Sequence, residues 1–222
     1  MRLIILVEGQ TEEAFIKDVL KPHLDDRGVF TSATIVGKMT AQKRGHQRRG
    51  GGHFRHWKKD ILRILGGDQS DGLRLTTFFD LYGLPQDFPG LEEHGRDLDT
   101  ARRCLSLEAA LAAEFNDRRF IPYIQRHEFE ALVFAALPSL RGLLDASDDL
   151  AGLTRLEGVL SAISPEDIND GPTTAPSKRL LVDVPGFRKT LHGPLATADT
   201  GLAALRERCP RFDVWVSTLE RL

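Results

Sequence analysis

Cysteine, methionine, tryptophan and tyrosine are all scarce in this 222-residue chain, with two of each. Cys104 and Cys209 stand far apart with no short metal-type spacing, which excludes a disulfide framework and a cysteine zinc site. Free thiols in a reducing compartment are expected, and with them a cytoplasmic location. Long hydrophobic runs are missing as well. The apolar opening, Leu3 to Val7, runs straight into Glu8 and is too short for a signal-peptide core or a membrane span. There is no Gly-x-x-x-x-Gly-Lys-Ser/Thr run, so any ATP hydrolysis would have to come from another subunit. Neither an internal repeat nor a compositional extreme appears: 41% of residues are hydrophobic, 28% are charged, and the net charge is −2. These values describe an ordinary globular chain and exclude disorder.

One local absence is informative. Between Lys38 and Lys59 there is no acid, while Lys38, Lys43, Arg44, Arg48, Arg49, Arg55, Lys58 and Lys59 supply eight cations. The part from Ala41 to His53 adds Gly45, Gly50, Gly51 and Gly52 and has no apolar periodicity, so it reads as a loop. A basic patch on a near-neutral protein points to a polyanion, with Lys38, Lys43, Arg44, Arg48, Arg49 and Lys58 as the contacts.

What is present is an alternation of strands and helices. Apolar or β-branched runs predict strands at Leu3–Val7, Thr31–Val36, Leu73–Leu81 and Phe120–Gln125, with Pro122 marking the last as an edge strand or one that begins irregularly. Helical stripes predict Glu12 to about Leu24, bent or ended by Pro22, then Phe54 to Leu65 and Asp97 to Phe115. Beyond Pro138 the pattern is helical and less regular: Leu140–Leu144, about Leu150–Ile163, a short helix capped by Ser177, and helices from Thr200 broken at Cys209-Pro210. The expected fold is α/β, a mostly parallel sheet flanked by helices, over residues 1–137, with a helical C-terminal extension over 138–222. Trp57 and Trp215 fall on helical stripes and are expected in the core.

Acids follow three of the strands: Glu8, Asp80, and the pair Glu128 and Glu130 behind His127. In open α/β sheets the carboxyl ends of the strands are where ligands bind. Glu12 and Glu13, in the first helical turn, are assigned instead to the helix dipole. Glu128 and Glu130 are two apart at a helix start and point to different faces, so one of them is expected to join the site. His127 is either a general base or ligand, or a cap of the strand-to-helix turn. Gathered carboxylates repel one another and persist when protons or a cation neutralise them. Oxygen ligands favour Mg²⁺ or Mn²⁺ over zinc, and such ions serve phosphodiester cleavage. Lys178 and Arg179, after the Pro176-Ser177 turn, are either phosphate contacts or surface cations.

Glu8-Gly9 after a hydrophobic strand, with Asp80 after a later one, resembles the Toprim domain of topoisomerases, primases and overcoming-lysogenization-defect (OLD) nucleases. The runs Phe79-Asp80-Leu81-Tyr82-Gly83-Leu84-Pro85, His127-Glu128-Phe129-Glu130-Ala131 and Pro176-Ser177-Lys178-Arg179 are similar to uncharacterised bacterial Toprim-like proteins related to the RloB type. That resemblance implies a Toprim-like (Rossmann-like) sheet and a Mg²⁺- or Mn²⁺-dependent nuclease acting on DNA or RNA. Glu8 corresponds to the catalytic glutamate and Asp80 to the first acid of the Asp-x-Asp metal motif, with Glu128 or Glu130, and less strongly Asp87, as further ligands. It also implies an ABC- or SMC-like ATPase partner and a role in phage defence, and it leaves a homo-oligomer open. The chain departs from the motif at its second acid, where Tyr82 stands. A non-catalytic module that docks nucleic acid or a partner is the alternative this departure implies.

Overall fold

In the computed structural model, described for residues 1–37, 52–168 and 174–222, five parallel strands form the frame. They are β1 (Arg2–Val7), β2 (Phe30–Ile35), β3 (Leu73–Asp80) and two fragments, β4 (Phe120–Ile121) and β5 (Ile124–Gln125). The order is β2-β1-β3-β4, with β5 also on β3. Pro122 divides the expected last strand because it has no N–H for the ladder. Across the break the Thr77 hydroxyl accepts from Tyr123 N–H (2.8 Å) and donates to Tyr123 C=O (2.7 Å), replacing ladder bonds.

Both faces of the sheet are covered, as a parallel sheet requires. From β1, Leu3, Ile5 and Val7 enter one core and Leu6 the other; from β3, Phe78 enters the first and Leu75 and Phe79 the second. The first core receives Phe15 of α1 (Gln10–Phe15), Leu24 of α2 (Lys21–Asp25) and the π-helical turn Ile16–Leu20 between them. In that wide turn Lys21 N–H reaches back to Ile16 C=O. The helix therefore passes Pro22, which lacks a donor, and ends at Asp25. The second core is filled by Trp57, Ile61 and Leu65 of α3 (Phe54–Gly67) and, beyond the single turn α4 (Leu91–His94), by Cys104, Leu107 and Leu111 of α5 (Thr100–Phe115). Asp99 caps α5 by accepting from Ala101 and Arg102 N–H.

After β5 the chain is helical: α6 (Glu130–Ala135), α7 (Leu137–Arg141), α8 (Ser147–Leu160), α9 (Pro176–Asp183), α10 (Lys189–Thr200), α11 (Leu202–Arg208) and α12 (Pro210–Leu219). These helices complete the first core rather than forming a second one. Trp215 stacks on Tyr123 at 4.5 Å and donates to the Thr76 hydroxyl at 3.0 Å, fixing the last helix to the sheet. Ser177 does not cap α9 as expected. Pro176 is the first helical residue and Ala175 the cap position, which suits proline's fixed φ. Among the described residues no helix is long and apolar enough to cross a membrane.

The connection from β1 to β2 runs over the first face and the connection into β3 over the second, because α1 and α3 pack on opposite sides. The strand order therefore reverses between β1 and β3, where Val7 lies beside Phe78. A crevice at the carboxyl ends of these two strands is the geometric result.

Candidate functional site

Glu8 and Asp80 leave adjacent strands at that crevice and meet. Glu8 Oε1 accepts from the Asp80 backbone N–H at 2.8 Å, and Asp80 Oδ1 in turn accepts from Phe129 N–H at 2.8 Å. Gly83 makes room for this: a Cβ built there would lie 2.4 Å from Glu8 Oε2. Two further acids close in. Glu12, 4% exposed, points its carboxylate back at the Gly9 N–H and its own. Glu130, fully buried at the start of α6, pairs with Lys189 Nζ at 3.0 Å.

The electrostatics reflect this convergence. Burial pushes the Glu8 carboxyl up to about 8, with the neighbouring Glu12 adding to the shift and the Asp80 N–H and Lys189 opposing it. Asp80 is held well above the ordinary carboxylate range, first by burial, then by repulsion from Glu12 and Glu8 and, more weakly, Glu130. Burial also raises Glu12 and Glu130. Lys189, on the first turn of α10, is the ammonium these acids share: although burial opposes its charge, Glu130, Asp80 and Glu12 hold it above its ordinary value. Four carboxylates facing one lysine need protons or another cation to balance them.

The donor set suits a hard divalent ion. All four acids offer oxygen, and Glu130 Oε1 is buried with no hydrogen-bond partner among the described residues, 3.0 Å from Lys189 Nζ. Among the described residues no three His, Cys, Asp or Glu side chains form a ready-made ligand cage. Mg²⁺ takes one or two carboxylates and completes its shell with water and phosphate oxygens, so the open arrangement is compatible with it.

The remaining expected residues go elsewhere. Glu128 Oε2 accepts from Ser177 N–H at 3.0 Å, capping α9, so of the two acids it is Glu130 that enters the cluster. His127 sits behind Tyr82, with φ at +65°. Its Nε2 lies 2.9 Å from Glu166 C=O, which accepts only, so Nε2 carries the proton and Nδ1 accepts from the Tyr82 hydroxyl at 2.9 Å. Burial, helped by Arg126, pushes the ring down to about 4, leaving it neutral. Both ring nitrogens are thus engaged in positioning. Asp87 caps α3 through Phe54 N–H at 2.8 Å and takes no part in the crevice.

Of the expected polyanion contacts, Lys38, Lys43, Arg44, Arg48 and Arg49 lie outside the described residues. Lys58 is ion-paired with Glu114 across α3 and α5, an exposed pairing between helices that holds the ammonium on a carboxylate instead of presenting it alone. Lys178 is exposed on α9, and Arg179 Nε donates to Thr174 C=O at 2.9 Å. Sequence reasoning missed two members of the cluster. Glu12 was assigned to the helix dipole, and Lys189 lies in a helix interrupted by Gly193-Pro194, which erases the helical signal.

The family model described as "Domain of unknown function (DUF4276)" matches residues 7–220. No curated protein matches. Among solved structures, the chain is similar to the C-terminal region of the Burkholderia pseudomallei OLD protein, with a TM-score of 0.49 at 16% identity, covering 99% of this chain and 98% of that one. It is also similar to the C-terminal region of the Xanthomonas campestris pv. campestris OLD protein in its iodine-phased structure, with a TM-score of 0.37 at 14% identity, covering 99% and 98%.

Proposed function

The chain belongs to the DUF4276 family, a domain of unknown function, and we propose that it is a Toprim-type, Mg²⁺-dependent nuclease that cleaves phosphodiester bonds in DNA or RNA. The observation that carries this reading is the meeting of Glu8, Glu12, Asp80 and Glu130 around Lys189 at the point where the strand order reverses. Such a concentration of desolvated acid is unfavourable for folding alone and is repaid when a cation and a phosphate arrive. Asp80 and Glu130 would hold Mg²⁺ or Mn²⁺; when bound, the ion would supply charge neutralisation at the phosphate and lower the pKa of a water.

The protein's own residues do the rest. The Asp80 N–H fixes one Glu8 oxygen, the other lies against Gly83, and the Phe129 N–H fixes Asp80. Glu8, raised to about 8, would take a proton from an attacking water at mildly alkaline pH, where it is ionised. Lys189, half-exposed and charged, would offset the negative charge that develops on a phosphate oxygen. By resemblance of its motifs, the chain would work with an ABC- or SMC-like ATPase in phage defence. Replacing Glu8 by Gln preserves shape and removes the titration. Cleavage of plasmid, single-stranded DNA or tRNA is expected to require Mg²⁺ or Mn²⁺, to stop in EDTA and to be lost in Glu8→Gln. Metal-dependent cleavage that survives Glu8→Gln would overturn the assignment.

Tyr82 at the second acid position favours a second reading, a module that docks nucleic acid or a partner without cutting it. Its phenol is anchored to neutral His127 and offers no charge to a metal. That reading gains if neither protein cleaves, with or without an ATPase partner, while both bind nucleic acid equally.

A further inference from the structure

A second group of charges stands at the same sheet edge, on the far side of Asp80 from Glu8. Asp80 pairs with Gln125 across β3 and β5, so Arg126 begins one residue beyond that pair. Its Nε donates to the Thr100 hydroxyl at 2.6 Å, and Nη1 meets Asp167 Oδ1 at 2.5 Å. The guanidinium thus lies over the first turn of α5. Arg103 is three residues after Thr100 on the same helix and therefore on the same face. Its Nε is buried and has no hydrogen-bond partner among the described residues. A guanidinium N–H withdrawn from water with no acceptor is unfavourable in the protein alone, and an oxyanion would satisfy it.

The balance of charge has the same sign. Arg126 has Asp167, a half-exposed carboxylate. Glu166 accepts from Arg211 and Phe212 N–H and so caps α12, and Asp99, one turn before Arg103, caps α5. Glu108 is occupied by Arg211 and by Ile124 N–H. His127, which both Arg126 and Arg103 face, is neutral. Among the described residues the Arg103 Nε keeps no acceptor, and the His127 that it faces is bonded to the part-exposed Tyr82.

We propose that Arg103 and Arg126, which both face His127, form a phosphate-binding patch that holds a phosphodiester of a nucleic-acid strand next to the one placed at Glu8 and Asp80. Planar guanidinium groups match phosphate oxygens in pairs, whereas a lysine would not. The location of the strand rests on the nuclease reading; the anion-binding role of Arg103 does not. A strand with at least two phosphates is then the preferred ligand over a mononucleotide, since the metal-side acids and the arginine patch take different phosphates.

The test is binding of a fluorescently labelled single-stranded DNA oligonucleotide by the full chain in EDTA, across a salt series, for wild type, Arg103→Gln, Arg103→Lys and Arg118→Gln. Arg118 is exposed, paired with Asp71 and remote from the patch. Arg103→Gln is expected to weaken binding several-fold and to flatten the dependence of log affinity on log salt by about 0.7, one single-strand phosphate contact. Arg103→Lys should keep the salt slope and lose part of the affinity, while Arg118→Gln should match wild type. The thermal midpoint should not fall in Arg103→Gln, because the variant removes a buried N–H that has no acceptor among the described residues. Wild-type affinity and slope in both Arg103 variants would overturn the proposal. Because binding is read without metal, this failure is separate from failure of the nuclease reading, which Glu8→Gln cleavage reports.

Discussion

Glu8 and Gly83 compete for one small volume. The Glu8 carboxyl occupies the space where any side chain at 83 would begin, 2.4 Å from the ideal Cβ position. Glycine is needed there for its missing Cβ and not for an unusual φ. Gly83→Ala is therefore expected to push Glu8 off the Asp80 N–H, costing about 1–3 kcal/mol of stability through overpacking. A displacement of even 1 Å in a reacting group lowers turnover by about 100-fold. The measurement is kcat for metal-dependent cleavage beside a urea unfolding curve. A variant with wild-type turnover would mean that the Glu8 position is not the reacting one.

The elements explain which parts of this site the sequence announces. Glu8 and Asp80 end apolar runs, and an acid there has few structural reasons to exist, so both are legible from period and position alone. Glu128 and Glu130 are not separable that way, because the choice between them depends on where α9 begins. Glu128 faces the Ser177 N–H on α9, with α6, α7 and α8 between them in sequence, and that contact leaves Glu130 to the crevice. Lys189 could not be found, since Gly193 and Pro194 hide its helix. Gly193 is there because Phe129, Val133 and Thr11 press within 3.3–3.7 Å of where its Cβ would be. Tertiary contact thus overrides propensity in α10. The assignment of Glu128 to a cap makes a prediction at this scale. Glu128→Ala should lower stability by about 1 kcal/mol, as loss of a helix cap does, with an unchanged urea m-value and unchanged kcat. Loss of turnover without loss of stability would return Glu128 to the metal site.

Across the whole molecule, two populations of carboxylates pull stability in opposite directions with pH. Arg206 and, less strongly, His23 hold the Glu220 carboxyl down to about 2, with burial opposing them. Arg102 beside Asp97 and Arg119 beside Asp117 depress those acids likewise. Such groups stabilise the fold above the ordinary carboxylate range, and their contribution is lost as pH falls through their folded values. The crevice acids do the reverse. With Glu8 raised from 4.5 to about 8, the folded state keeps a proton that the unfolded chain has released. Stability therefore falls as pH rises through that window, by at most about 1.4 kcal/mol per pH unit for each such proton. Asp80, Glu12 and Glu130 act in the same direction, while Lys189 remains charged throughout. In EDTA the thermal midpoint should accordingly peak near pH 5 and decline toward pH 8, about the interval between the two carboxylate ranges. Mg²⁺ should raise the midpoint more at the alkaline end, where the acids can release their protons to it. Glu8→Gln should flatten the decline and, in EDTA at the alkaline end, be more stable than wild type. This is the trade expected where function requires gathered charge that folding alone disfavours. A wild-type midpoint that rises steadily between those pH values in EDTA would show that the four carboxylates do not share one desolvated site.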